Sequence, residues 1–163
     1  MELLEKLYWK MAEYYASSPS QIQHFAKVHS YARLIGVSEE LDAKTLLTLE
    51  AAAFVHDIGI KPAIEKYKTA AGPYQEKEGA PLAENMLLEI GFDPDIAARV
   101  GTLVGRHHTF ENVDGPDCRI LLEADMLVNL HEGKADSQRI RTAYETVFET
   151  ESGKRLCRIM YNP

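Results

Sequence analysis

Apolar residues recur at three- and four-residue intervals along almost all of the 163-residue chain, the spacing that lines one face of an α-helix. Alternating β-branched runs closed by Asn-Gly or Asp-Gly turns, the mark of hairpins, are missing. The pattern predicts an all-α protein. A first helix covers 1–16, and a second starts at an N-cap Ser20, runs to about Ile35 and is closed by Gly36. A third, capped by Ser38 or Asp42, carries Leu46, Leu49, Ala53 and Phe54 towards His56-Asp57 and ends at Gly59. Residues 61–74 hold Pro62, Gly72 and Pro73 amid Lys and Tyr, which predicts a short helix and then an exposed loop, the best candidate for a lid. Further helices are expected over 76–90, 94–108, 115–131, 136–149 and 152–161, with breaks at Gly91, Pro94, Gly115-Pro116, Gly133 and Gly153. Neither a repeat nor a linker interrupts the pattern, so one domain over 1–163 is expected.

Composition narrows the class. With 45% hydrophobic and 26% charged residues the chain is globular, neither disordered nor fibrous. A chain of 18.3 kDa should hide about 69% of its unfolded surface on folding. No apolar stretch approaches a membrane span, and Glu2, Glu5 and Lys6 replace the basic-then-apolar opening of a signal sequence. A cytoplasmic protein is expected. Cys118 and Cys157 lack CxxC spacing and read as reduced, small apolar side chains. The net charge of −7 argues against long nucleic acid and against anionic membrane, since both would be repelled.

Three motifs fail on inspection. His131-Glu132 opens like HExxH, but Ala135 stands where the second histidine belongs; Gly153-Lys154 lacks a glycine loop before it; no serine sits in a GxSxG elbow. What remains is a set of imidazoles and carboxylates on apolar faces. His24 lies in line with Val28, Ala32 and Ile35 on the stripe that faces a core. His56-Asp57 follows the apolar run Ala51 to Val55 at a helix C-terminus, where a carboxylate opposes the macrodipole and a cation would remove the conflict. Asp125 sits inside Leu121-Leu122-Glu123-Ala124-Asp125-Met126-Leu127-Val128, pointing its charge at the interior. Two His and two Asp on separately buried stretches suit one cation bound through nitrogen and oxygen. His107-His108 closes another apolar run at a helix end, whereas His29 and His131 have no such context and read as structural or solvent-facing.

The order His24, His56-Asp57, Asp125 resembles the H…HD…D signature of the HD superfamily of metal-dependent phosphohydrolases. The similarity to small bacterial HD-domain proteins extends through Glu50 to Lys61, Tyr74 to Ala80, Val104 to Phe110, Glu123-Ala124-Asp125 and Phe148 to Gly153. It implies a single-domain bundle of about six to eight helices holding one divalent ion (Mn, Mg, Fe, Co, Ni or Zn) between His24, His56, Asp57 and Asp125. Two-metal members carry a further histidine where this chain has Gln75, a departure that favours one metal. The implied catalytic residues are Asp57, to orient water, and His107 or His108, to protonate the leaving oxygen or bind phosphate. Lys61, Gln75 and Arg106 are the implied substrate-binding residues, the two cations because they can neutralise phosphate. The expected activity is hydrolysis of a phosphoester on a small nucleotide or related metabolite, and a homo-oligomer is left open. An HD-fold iron oxygenase, or a metal-stabilised regulatory module without turnover, are the competing readings.

Overall fold

The computed structural model describes residues 1–163 and contains nine α-helices and no strand. They are α1 (Leu3–Tyr14), α2 (Pro19–Ser38), α3 (Ala43–Val55), α4 (Ile60–Tyr67), α5 (Gly72–Ile90), α6 (Pro94–Val104), α7 (Gly115–Glu132), α8 (Ser137–Thr146) and α9 (Glu151–Tyr161). Two of them are buried over most of their length. All eight residues from Thr48 to Val55 of α3 are buried, and so are eleven residues of α7, including Leu121, Leu122, Leu127 and Val128. A helix apolar all round belongs in a core, and the other elements wrap these two: α2 packs on both, α6 on α3, α5 on α6, and α1 on α3 and α5. Phe25, Val28, Ala32 and Ile35 of α2 enter the same 33-residue core.

Caps explain most boundaries. Asp42 opens α3, its Oδ1 accepting from the Lys44 and Thr45 amides at 3.1 Å, and Asp93, Asp136 and Thr150 cap α6, α8 and α9 in the same way. The α2 boundaries differ from expectation. Ser18, not Ser20, is the cap residue, because Pro19 takes a first-turn position whose missing N–H costs nothing. Gly36 does not close the helix, which continues to Ser38. Its bare Cα lets α2 approach α3, since a Cβ there would lie 2.9 Å from Leu46 and 3.1 Å from Leu49. Helix α3 stops at Val55, four residues before Gly59, and the turn 56–59 leads straight into α4.

The expected loop is also shorter. Gly72-Pro73 opens α5 instead of breaking a helix, so only residues 68–71 connect α4 to α5. The segment is fastened: the Tyr67 and Tyr74 rings stack at 4.4 Å, and Glu78 Oε1 accepts from Tyr67 Oη at 2.7 Å and from Lys66 Nζ at 3.1 Å. Helix α6 ends at Val104, leaving His107-His108 in the turn beyond it. Helix α8 ends at Thr146, where Val147 and Phe148 turn into the core and the amides of Glu149 and Thr150 donate to buried Glu123.

Candidate metal centre

Four side chains meet where α2, α7 and the turn after α3 converge. His24 comes from the core face of α2, Asp125 from α7, and His56 and Asp57 from the turn that α3 delivers. His24 Nε2 lies 3.1 Å from His56 Nε2, 3.2 Å from Asp125 Oδ1 and 3.3 Å from Asp57 Oδ2. His56 Nε2 lies 3.3 Å from Asp125 Oδ1 and 3.5 Å from Asp57 Oδ2. Ligands about 2.1 Å from a common ion stand about 3.0 Å apart at a right angle and about 3.4 Å apart in a tetrahedron. The spacing fits a first coordination shell.

The chemistry fits as well. His56 Nδ1 donates to Ala53 O at 2.9 Å, and a carbonyl can only accept, so the neutral ring turns the lone pair of Nε2 inward. His24 Nδ1 donates to Glu132 Oε1 at 3.0 Å with the same result. Both Nε2 atoms and Asp125 Oδ1 therefore face one another as acceptors without a donor, and Asp57 Oδ2 beside them meets only the Gln21 amide at 3.5 Å. Asp125 Oδ1 is buried and has no hydrogen-bond partner, although both Nε2 atoms are close. Buried polar atoms are costly unless compensated, and a divalent cation is a group that could compensate these.

Without a cation, protons take its place. Burial works to lower the His24 pKa, but Asp125, Asp57 and Glu132 more than reverse this and hold it up at about 9. His56 is raised despite complete burial, by Asp57 and Asp125. Burial pushes the two aspartates upward, yet His56 and its neighbours hold both below the usual carboxylate range. Burial likewise acts to raise Glu132, and Lys27 and His24 bring it down.

Asp57 has a second face. Its Oδ1 lies 3.1 Å from Nε2 of buried His107, whose Nδ1 donates to Val104 O at 2.7 Å. Asp57, His107 and His108 form a second close group of possible ligand atoms, all within 4.8 Å of one another. His108 Nε2 donates to Gln75 Oε1 at 3.0 Å, while the Gln75 amide donates to Ala70 O. Gln75 is thus spent at both ends on local hydrogen bonds. Arg106 Nη2 donates to Asn112 O at 3.0 Å and braces the loop after His108. Lys61, exposed in the first turn of α4, places Nζ 5.0 Å over the Tyr14 ring. His29 lies elsewhere, bonded to Glu50 Oε1 at 3.0 Å and stacked on Phe54.

Three residues that sequence reasoning passed over touch the centre. Tyr15 Oη donates to the Asp57 carbonyl at 3.0 Å, and Gln21 Nε2 reaches Asp57 Oδ2 at 3.5 Å. Glu132 is the third. Gln21 precedes His24 by three positions and Glu132 follows Asp125 by seven, spacings that place each on the same helical face as its neighbour.

No family model and no curated protein matches the chain. Among solved structures it is similar to a predicted HD superfamily hydrolase from an uncultured Thermotogales bacterium, with a TM-score of 0.74 and 23% sequence identity. The likeness covers 97% of this chain and 84% of that one. From α1 to α9, the chain has the fold of the HD superfamily.

Proposed function

We propose that the protein is a metal-dependent phosphohydrolase, a phosphatase or phosphodiesterase acting on a small nucleotide or related phosphorylated metabolite. One divalent ion per chain is held by His24, His56, Asp57 and Asp125. The observation that carries the reading is the orphaned Asp125 Oδ1 within a cluster of acceptors. A bound divalent ion supplies two things there, acidification of water and polarisation of a phosphoryl oxygen. The two imidazoles bring no charge when neutral and the two aspartates bring two negative charges, so a divalent ion leaves a centre that does not repel an anionic substrate.

The other residues bind, orient and move protons. Asp57 spans both groups, one oxygen towards His24 and His56 and the other towards His107. His107, fixed by Val104 O, keeps any second proton on Nε2 at the edge of the centre, the position of a general acid for the leaving oxygen. A cleft of about 640 Å³ between the starts of α2 and α4 is lined by Ser18, Ser20, Gln21 and Lys61 and meets the centre at Gln21. That volume suits a small molecule. Lys61 supplies the phosphate-binding charge, while Gln75 and Arg106 support the walls. Support for hydrolysis over iron-dependent oxidation comes from Gln75, which puts an amide where a redox-active metal pair would need a further imidazole.

Phosphate release should be measured across nucleotides and phosphorylated metabolites with added Mn, Mg, Co, Ni or Zn. Turnover in at least one metal, abolished by chelation, is expected; silence under every condition would overturn the reading. On the best substrate Lys61→Ala should lower kcat/KM about tenfold, roughly 1.4 kcal/mol, with metal content unchanged.

A further inference from the structure

The three buried imidazoles around Asp57 solve one problem in two ways. Each holds a proton on Nδ1 and so turns Nε2 towards Asp57 and the centre. His56 and His107 sit in turns and donate Nδ1 to the carbonyl three residues earlier, Ala53 O and Val104 O. His24 lies within α2, in its second turn, and makes no such bond to a backbone carbonyl. Its Nδ1 meets a side chain instead, Glu132 Oε1 at 3.0 Å.

Glu132 is the last residue of α7, seven positions and two helical turns beyond Asp125. One helix therefore grips both edges of the His24 ring, with Asp125 Oδ1 3.2 Å from Nε2 and Glu132 on Nδ1. Lys27, one turn along α2 from His24, places Nζ 3.0 Å from the same Glu132 oxygen and fixes the carboxylate from the other side. Glu132, which covers the Nδ1 edge, lines a cleft of about 790 Å³ together with Ser20, Gln23 and Lys27. Removal of Glu132 would leave Nδ1 facing solvent, and nothing would then keep the ring proton off Nε2.

We infer that Glu132 is a positioning residue: it selects the Nδ1–H tautomer of His24 and thereby keeps Nε2 available as a ligand. The inference rests on the metal reading given above for its purpose, but not for its geometry. Outer partners of this kind are worth about 10- to 100-fold in metal affinity.

Two measurements on Glu132→Ala and Glu132→Gln decide it. In metal-free protein, at a pH above the ring's own measured titration, long-range proton–nitrogen spectra of the His24 ring, assigned with His24→Gln, should show Nδ1 protonated in the wild type and in Glu132→Gln, whose amide oxygen still accepts. Glu132→Ala should shift the proton to Nε2. Zinc affinity, from competition with a chelator, should fall 10- to 100-fold in Glu132→Ala and recover in large part in Glu132→Gln. A His24 that keeps its proton on Nδ1 in Glu132→Ala, or an unchanged zinc affinity in that variant, would overturn the inference. Failure of the wild type to bind zinc or any other divalent ion would count against the metal reading, and the tautomer of the metal-free ring would still decide the role of Glu132.

Discussion

Asp125 is the residue with the least compensation in the molecule: buried, charged, and orphaned at Oδ1. Asp125→Asn keeps its shape but removes the charge and turns either a weaker oxygen or an N–H donor towards the two Nε2 atoms. Zinc affinity should fall by more than the 10- to 100-fold expected for an outer partner such as Glu132, and metal analysis after dialysis checks it. At this scale the sequence is unevenly informative. His24 stands out because Val28, Ala32 and Ile35 define the buried stripe on which it lies, and Asp125 because the seven positions around it from Leu121 to Val128 are mostly apolar. Glu132 is silent, since its link to His24 joins positions 108 apart and depends on how α7 crosses α2. The Arg106 bond to Asn112 O is silent for the same reason, since its place beside His107 says nothing of how the loop after His108 turns back.

Between elements, close approach is what sets the site. Gly59, at the entrance to α4, packs against α5 so tightly that an added Cβ would overlap the Gln75 carbonyl oxygen and come within 2.8 Å of the Gly79 amide nitrogen. Gly79 faces it, and there a Cβ would be 3.0 Å from Val104 and 3.2 Å from Gly59 N. This contact sets Gln75 and His108 beside the turn that carries His56 and Asp57. Gly59→Ala must push α5 away and should cost about 1–3 kcal/mol, the range for overpacking a well-filled interior. A thermal melt of the metal-free variant would show it, and an unchanged melting temperature would mean that the crossing yields freely. The helices themselves are legible from periodicity, down to the short α4. Their ends are less so where glycine plays two parts: Gly36 reads as a stop signal but serves a helix crossing, and Gly72-Pro73 reads as a loop but starts α5.

The whole molecule exposes 8390 Å², close to the roughly 8,100 Å² expected of a compact chain of this mass, and no helix is long and apolar enough to cross a membrane. Inside that envelope the buried carboxylates make stability and metal binding answer oppositely to pH. Folding lifts His24 from its ordinary 6.5 to about 9, burial opposing and Asp125, Asp57 and Glu132 prevailing. A group raised in this way contributes its full stability below about 6.5 and loses it as pH climbs through about 9, a change of about 3 kcal/mol at the upper end. Asp57 and Asp125, whose burial is outweighed by His56 and its neighbours, are depressed and lose their contribution only as pH falls below the ordinary carboxylate range. Metal-free protein should therefore be most stable in mildly acidic solution and weaken from pH 6.5 to 8.5. A divalent ion needs the same nitrogens without their protons, so its affinity climbs over that interval, and with it the stabilisation that binding confers. The expected outcome is a gap in melting temperature between metal-loaded and chelated protein that widens steadily from pH 6.5 to 8.5. Melts in matched buffers with stoichiometric metal would measure it, and a gap that stays level or narrows would show that His24 Nε2 carries no proton for the metal to displace.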